Sequence, residues 1–157
     1  KIWVESEAGK GTAIIINLPL KVKGGKPVLK PAAGNKSARK LRVLAIDDED
    51  WVRDLVRRHL ESDGHEVETA VNGREGLAKL ETGHFDVVIT GRAIPDMSGD
   101  QIARLAKQQK PGIPVILLTG FGQSMKDAGE RPESVNLILS KPMTKDELRG
   151  AVETVVA

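Results

Sequence analysis

Five aliphatic runs, separated by segments with helical periodicity, make up most of the sequence from residue 41 to residue 157. The runs cover 41–46, 67–71, 85–90, 114–119 and 135–139. Between the first two, apolar residues recur roughly every three to four positions, which is typical of an amphipathic helix. Strands that alternate with helices form a parallel sheet with helices on both faces, and continuous aliphatic strands suit a sheet buried on both sides. The pattern therefore predicts an α/β fold with a doubly wound, five-stranded parallel sheet.

Capping boxes predict where three of the helices begin. In each box a Ser, Thr or Asn is followed three residues later by Glu or Gln, so that free backbone N–H groups at the helix start find acceptors. The pairs are Asn72 with Glu75, Ser98 with Gln101 and Thr144 with Glu147. The first helix, over about 50–62, is expected to end before Gly64, because glycine tolerates the backbone conformation that closes a helix. Residues 121–131 are polar, and their apolar residues recur with neither the period of a helix nor that of a strand.

The first forty residues differ from the rest of the chain. Residues 1–20 contain two short apolar runs, 2–4 and 13–18, around Gly9-Lys10-Gly11, which predicts a β-hairpin. Residues 21–40 are rich in Gly and Pro and carry seven basic and no acidic residues, which is typical of a flexible linker. We therefore divide the chain into a hairpin at 1–20, a basic linker at 21–40 and a folded domain at 41–157.

Charge and composition exclude several classes of function. The net charge of the chain is +2, and the linker alone contributes +7 while residues 1–20 are balanced, so the folded domain carries −5. Nucleic-acid binding is not expected, because proteins that bind nucleic acids carry their basic residues on a structured face, whereas the basic residues here lie in the linker. Cysteine is absent, which excludes disulfides and thiolate sites. No apolar run reaches the roughly 18 residues of a membrane span, so no membrane contact is expected of this stretch.

The residues at the ends of four predicted strands are informative. Asp47 and Asp48 come after the first, Gly91 after the third, Thr119 closes the fourth, and Lys141 follows the fifth. Ligands of such sheets bind beyond the carboxyl ends of the strands, where these residues would converge. Two carboxylates can hold Mg²⁺, a threonine hydroxyl can bond a phosphoryl oxygen, and a lysine can neutralise its charge. An oxygen or nitrogen nucleophile for phosphoryl transfer is missing from this set.

These residues resemble the receiver domain of two-component signalling. The resemblance rests on Asp47-Asp48, the segment 85–99 (FDVVITGRAIPDMSG), Thr119 and Lys141-Pro142, and it covers about three quarters of the chain. It implies a flavodoxin-like fold with strand order 2-1-3-4-5 and a cis Lys141–Pro142 bond. It implies that Asp47, Asp48 and the backbone carbonyl of Ala93 bind Mg²⁺, that Thr119 is the switch hydroxyl and that Lys141 contacts the phosphoryl group.

The sequence departs from the receiver pattern at the acceptor. The phosphoryl-accepting aspartate of the family stands four residues before the loop proline, and here that position is Gly91. The resemblance therefore implies that aspartate phosphorylation is lost and that Mg²⁺ binding is weakened by the missing carboxylate. The loop residue before Pro95 is Ile94 in place of the usual methionine, and the switch aromatic is replaced by Ile138.

The hairpin carries a second resemblance. Residues 1–12 (KIWVESEAGKGT), continuing to Leu18-Pro19-Leu20, resemble the last hairpin of the ATP-binding domain of histidine kinases. A kinase end, a linker and a receiver are the layout of a hybrid sensor histidine kinase. This stretch is then not expected to be an enzyme, although its parent would be a kinase. The implied partner is a histidine kinase or a histidine phosphotransfer domain, and the implied location is cytoplasmic, with a parent that can be attached to a membrane.

Three functions remain open on the sequence alone. The first is a receiver that binds partners without being phosphorylated, with the last helix, 144–156, as the candidate binding face. The second is a working receiver, in which Asp86 or Asp96 accepts the phosphoryl group or the parent protein has aspartate at position 91. The third is a purely structural or dimerising domain, for which the sequence offers no specific feature.

Overall fold

The computed structural model of the chain describes residues 2–7, 11–16, 39–120 and 132–157. The chain divides into two compact units, with the boundary after residue 37, and each unit is described by itself. In the first unit, strands β1 (Ile2–Glu7) and β2 (Gly11–Ile16) pair antiparallel, with Ile2 opposite Ile16. A hairpin is thus confirmed, although its strands extend beyond the predicted 2–4 and stop short of the predicted 18. The glycine turn at 9–10 and residues 17–38 lie outside the described residues.

The second unit is an alternating α/β domain. Its elements are β3 (Arg42–Ile46), α1 (Asp50–Glu61), β4 (Glu66–Ala70), α2 (Gly73–Thr82), β5 (Val87–Gly91), α3 (Gly99–Gln109), β6 (Val115–Thr119), β7 (Leu137–Ser140) and α4 (Lys145–Val156). The five strands form one parallel sheet in the order β4-β3-β5-β6-β7. Numbered within this unit, the order is 2-1-3-4-5, so the predicted fold is confirmed. The unassigned segment 121–131 lies outside the described residues.

Two aliphatic cores cover the two faces of the sheet. Helices α1 and α4 pack on one face, where Val52, Leu60 and Leu148 are buried. Helices α2 and α3 pack on the other, where Leu80 and Ile102 are buried. Strands β3, β5 and β6 lie inside the sheet, which explains their continuous aliphatic sequence. No helix in the described ranges is long and apolar enough to cross a membrane.

Side-chain hydrogen bonds shift two predicted strand starts. Strand β5 begins at Val87 instead of residue 85, and the carboxylate of Asp86 accepts a hydrogen bond from the backbone N–H of Arg42 at 2.8 Å. Strand β7 begins at Leu137 instead of residue 135, and the side chain of Asn136 accepts from the N–H of Val115 at 3.0 Å. In both cases a polar side chain takes the place of a ladder bond, which hydrophobicity alone does not reveal.

Two of the three predicted capping boxes form in full. Ser98 with Gln101, and Thr144 with Glu147, exchange both capping bonds. At the start of α2 the Asn72 side chain accepts from the N–H of Glu75, as predicted. The Glu75 carboxylate, however, accepts from the N–H of Val71, one residue before the expected donor. In this third box the bond to the Asn72 side chain is therefore confirmed, and the predicted return bond from Glu75 to the N–H of Asn72 is replaced by one to Val71.

An ion-pair cluster joins the end of α1 to the start of α4. The Asp63 carboxylate accepts two hydrogen bonds from the Arg149 guanidinium, at 2.8 and 2.9 Å, and lies 2.8 Å from the Lys145 ammonium. The hydrogen bond from Arg149, followed by that from Lys145, lowers the pKa of Asp63 from 3.8 to about 2, against the opposing effect of burial. Paired planar geometry of this kind makes the bond to Arg149 strong for a surface contact.

This cluster predicts a specific loss of stability in acid. Because the folded pKa of Asp63 lies below its unfolded value, its contribution is present above about pH 4 and is lost as the pH falls toward 2. Solvent screening of the half-exposed Lys145 and Arg149 limits that contribution to about 1–2 kcal/mol. Asp63→Asn should therefore lose about 1–2 kcal/mol at pH 7 and almost nothing near pH 2, as measured by urea unfolding across that range.

The matched control for this prediction is Asp54→Asn. Asp54 lies 3.8 Å from Arg57, and the side chain of Asp54 is 56% exposed, so its removal should change stability little at any pH. Parallel acid curves for wild type and Asp63→Asn would contradict the assignment.

Candidate functional site

Asp47 occupies the first position after the central strand β3, at the carboxyl edge of the sheet. Its side chain is almost fully buried, with 2% of the residue exposed. Its backbone N–H donates to the carbonyl of Ala70 at 3.2 Å, and its Oδ1 accepts from the N–H of Glu49 at 3.1 Å. The chain thus turns out of the sheet with one carboxylate pointing inward, while Asp48 is exposed. The two neighbouring aspartates therefore lie in very different environments.

Arg53 stabilises the turn of residues 47–50 that follows β3, and the sequence did not predict this role. It is 8% exposed, and its guanidinium donates to the backbone carbonyl of Asp47 at 2.5 Å and forms a close ion pair with Asp50. The signal for it was helical spacing, because Arg53 lies three residues before Val56 and seven before Leu60 on the buried side of α1. A charged residue in an apolar stripe indicates a buried polar partner.

Lys141 reaches the same turn from the end of β7. Its Nζ lies 2.8 Å from Asp47 Oδ2 and 3.2 Å from Glu49 Oε2, and its side chain is 18% exposed. Its backbone N–H donates to the carbonyl of Thr119 at 2.9 Å, and the bond to Pro142 is cis, as the resemblance implied. The Nζ–Oδ2 contact is a close ion pair that is not aligned as a hydrogen bond, and among the described residues Oδ2 has no hydrogen-bond partner. Among the described residues, the interaction that fixes Oδ2 is therefore its electrostatic attraction to the ammonium of Lys141.

Gly91 is the buried last residue of β5 and stands beside Asp47. A β-carbon placed on Gly91 would lie 2.4 Å from Asp47 Oδ2 and 3.1 Å from Asp47 Cγ, well inside van der Waals contact. The carboxylate of Asp47 thus extends into space that any side chain at position 91 would need. The structure brings Asp47, Gly91 and Lys141 together at one point, as the sequence predicted.

The other predicted site residues lie in strands β6 and β7 and in the loops after β3 and β5. Thr119 is buried at the end of β6, paired with Ser140 of β7, and Ile138 is buried in the core on the α2–α3 face. Asp48 and Ala93 are exposed in the loops that follow β3 and β5. Within the described part of the chain, no group of three or more acidic or histidine side chains is arranged to hold a metal ion.

The two other aspartates considered as acceptors are engaged elsewhere. Asp86 lies before β5, at the amino edge of the sheet, where it pairs with Arg39 at 2.6 Å and accepts the N–H of Arg42. Asp96 accepts the backbone N–H groups of Gly73 and Arg74, each at 3.0 Å, at the start of α2. The hydrogen bond from Gly73, above all, lowers the pKa of Asp96. Both carboxylates are thus held by partners other than Lys141.

Comparison with known proteins identifies this arrangement. The family model of the response regulator receiver domain matches residues 43–153. This chain belongs to the response regulator receiver family. The match spans the sheet from β3 to β7 and most of α4, so it includes every predicted site residue of this receiver.

Relatives of known role extend the likeness toward the N-terminus. The chain is 30% identical to the sensor protein EvgS of Escherichia coli over 93% of its length, and 30% identical to the sensor kinase CckA of Brucella abortus over 97%. Both alignments reach beyond the receiver residues, which is consistent with a receiver domain in a hybrid kinase. The chain spans only 12% and 17% of these two proteins.

Solved structures confirm the fold of the receiver. The chain matches a receiver domain protein from Clostridium thermocellum with 35% identity and a TM-score of 0.67, over 74% of this chain and 94% of that one. It matches TrrA from Thermotoga maritima, solved in complex with Mg²⁺–BeF, with 31% identity and a TM-score of 0.66, over 73% of this chain and 98% of that one.

Proposed function

We propose that this receiver belongs to a hybrid sensor histidine kinase and works in its phosphorelay without accepting a phosphoryl group at the usual position. The observation that supports this most directly is Gly91, which provides no nucleophile at the end of β5 while Asp47 and Lys141 remain beside it. Phosphoryl transfer to protein requires a nucleophilic atom in line with phosphorus. Other acidic residues are poor substitutes, since Asp86 and Asp96 are bound elsewhere.

Mg²⁺ binding is proposed to be weak. The ligands would be the carboxylates of Asp47 and Asp48 and the backbone carbonyl of Ala93, which are oxygen donors of the kind that Mg²⁺ accepts. Gly91 supplies no third carboxylate, and the ammonium of Lys141 already lies 2.8 Å from Asp47. Two acids beside a lysine attract a divalent cation far less than three acids do.

The remaining roles follow the receiver pattern. Thr119 and Lys141 take the positions of the switch hydroxyl and of the phosphoryl-contacting lysine, and Ile138 takes that of the switch aromatic. Without phosphorylation, regulation would come from binding of a histidine kinase or histidine phosphotransfer domain, with the surface of α4 as the candidate face. This stretch would have no catalytic activity of its own, and its parent would be a kinase that places the receiver in the cytoplasm.

The N-terminal segments complete this proposal. Residues 1–20 would be the last hairpin of the kinase ATP-binding domain, and residues 21–40 a basic tether between that domain and the receiver. Support comes from the β1–β2 pairing and from alignments to sensor proteins that extend across this part of the chain.

Intact-mass measurement after incubation with acetyl phosphate and Mg²⁺ tests the proposal. Wild type should show no added phosphoryl group, whereas Gly91→Asp should gain one that is stable in acid and labile in base. The variant serves as the positive control, because it restores a carboxylate at the acceptor position beside Lys141. A phosphoryl mass on wild type would favour the alternative function, a working receiver that uses another acceptor.

A further inference from the structure

The carboxylate of Asp47 is an unusual buried charge. Only 2% of the residue is exposed, and among the described residues Lys141 is the one cation within 4.0 Å of its oxygens. A buried carboxylate without a charged partner is strongly destabilising, so this ion pair is important for the stability of the turn after β3. Arg53 does not serve this purpose, since it binds the backbone carbonyl of Asp47.

Gly91 makes the ion pair geometrically possible. Oδ2 of Asp47, the oxygen that faces Lys141, is also the oxygen that a β-carbon at position 91 would meet at 2.4 Å. Any larger residue at 91 would push this oxygen out of its position. The loss of the acceptor side chain and the pairing of Asp47 with Lys141 are therefore two parts of one arrangement.

We infer that the ammonium of Lys141 is the resident cation of this site and takes the place of a divalent metal ion. This inference rests on the proposed absence of an acceptor at position 91. Lys141 bridges the buried Asp47 and the outer Glu49, and so ties the end of β7 to the turn after β3 without a metal ion. Mg²⁺ and the ammonium compete for the same carboxylate. Because the ammonium already neutralises the charge of Asp47, the native domain does not need Mg²⁺ for its stability.

The test compares wild type, Lys141→Met and Lys40→Met by thermal unfolding in EDTA and in about 10 mM Mg²⁺, with calorimetric titration of Mg²⁺. Lys40→Met is the matched control, because it removes one positive charge from an exposed pair with Glu66 at the opposite edge of the sheet. The wild-type Tm should hardly change with Mg²⁺, and Lys40→Met should behave in the same way. Lys141→Met should have a lower Tm in EDTA and should recover part of the loss in Mg²⁺.

Affinity for Mg²⁺ gives the second readout. The Nζ of Lys141 lies 2.8 Å from Asp47 Oδ2. Two unit charges that are this close interact by at least ~1 kcal/mol even in bulk water, so Lys141→Met should bind Mg²⁺ at least about fivefold more tightly than wild type. Gly91→Ala keeps every charge but displaces Oδ2 from Lys141, so it should lower the Tm in EDTA even if Lys141→Met cannot be purified.

The outcomes separate this inference from the proposed function. A wild-type Tm that rises by several degrees in Mg²⁺, or equal Mg²⁺ affinity in wild type and Lys141→Met, would overturn the resident-cation inference. An unchanged Tm in Gly91→Ala would do the same. None of these results depends on phosphorylation, whereas a phosphoryl mass on wild type would overturn the proposed function alone.

Discussion

Gly99→Ala is expected to destabilise the receiver domain by about 3 kcal/mol, because the new methyl group meets backbone atoms in a closely packed region. A β-carbon at Gly99 would lie 2.3 Å from the carbonyl oxygen of Gly91 and 3.0 Å from the Cα of Arg92. The start of α3 is held there by a 2.8 Å hydrogen bond from the N–H of Gly99 to the carbonyl of Arg92. The helix would have to move away from the end of β5, and denaturant unfolding would measure the cost.

Gly150→Ala is the matched control for this prediction. Gly150 lies inside α4, and a β-carbon there would meet no atom within 4 Å apart from its chain neighbours and the backbone of the same helix. Alanine should stabilise this helix by roughly 0.5–1 kcal/mol, since it lowers the entropy of the unfolded chain. If Gly99→Ala were as stable as wild type, that result would contradict the close packing of the start of α3 against the end of β5.

Gly91→Asp should make the stability of the domain depend on Mg²⁺. The new side chain displaces the carboxylate of Asp47 and adds a third acid around one ammonium, which should cost about 2–4 kcal/mol in EDTA. Together with Asp47 and Asp48, the new carboxylate would form a better metal site, so saturating Mg²⁺ should restore roughly 3 kcal/mol. Unfolding by urea with and without Mg²⁺ measures both effects.

Gly91→Asn separates charge from size. It has the same shape as aspartate but no charge, so it should lose stability through crowding against Asp47 and show little response to Mg²⁺. Equal responses of Gly91→Asp and Gly91→Asn to Mg²⁺ would show that repulsion between carboxylates is not the cause.

The positions of the strands could be predicted because burial on both faces requires continuous aliphatic sequence. Val115–Thr119 is a clear case, with all five residues buried between two helical layers. The first residues of β5 and β7 could not be predicted, since they depend on Asp86 and Asn136 binding backbone groups of neighbouring strands. Such bonds join residues far apart in sequence, and no local pattern contains them.

The sequence could predict which residues stand at the edge of the sheet that carries the candidate site. It could not predict which contacts they make there. Gly91 and Thr119 end strands, and Asp47 and Lys141 directly follow strands, whose carboxyl ends share one edge, so their convergence follows from the parallel sheet. The buried Arg53 under the acidic turn depends on which side of α1 faces the sheet. The capture of Asp96 by the start of α2 likewise depends on how two loops approach each other.

The amino-acid sequence by itself determined the α/β alternation, the edge at which chemistry could occur and the lack of a nucleophile at position 91, because hydrophobic period and residue identity are local properties. The tertiary structure alone decided that the carboxylate of Asp47 fills the space beside Gly91 and pairs with Lys141. That outcome depends on side-chain packing between residues that lie 44 (Asp47 and Gly91) and 94 (Asp47 and Lys141) positions apart in the sequence, where distance, burial and charge must be satisfied together.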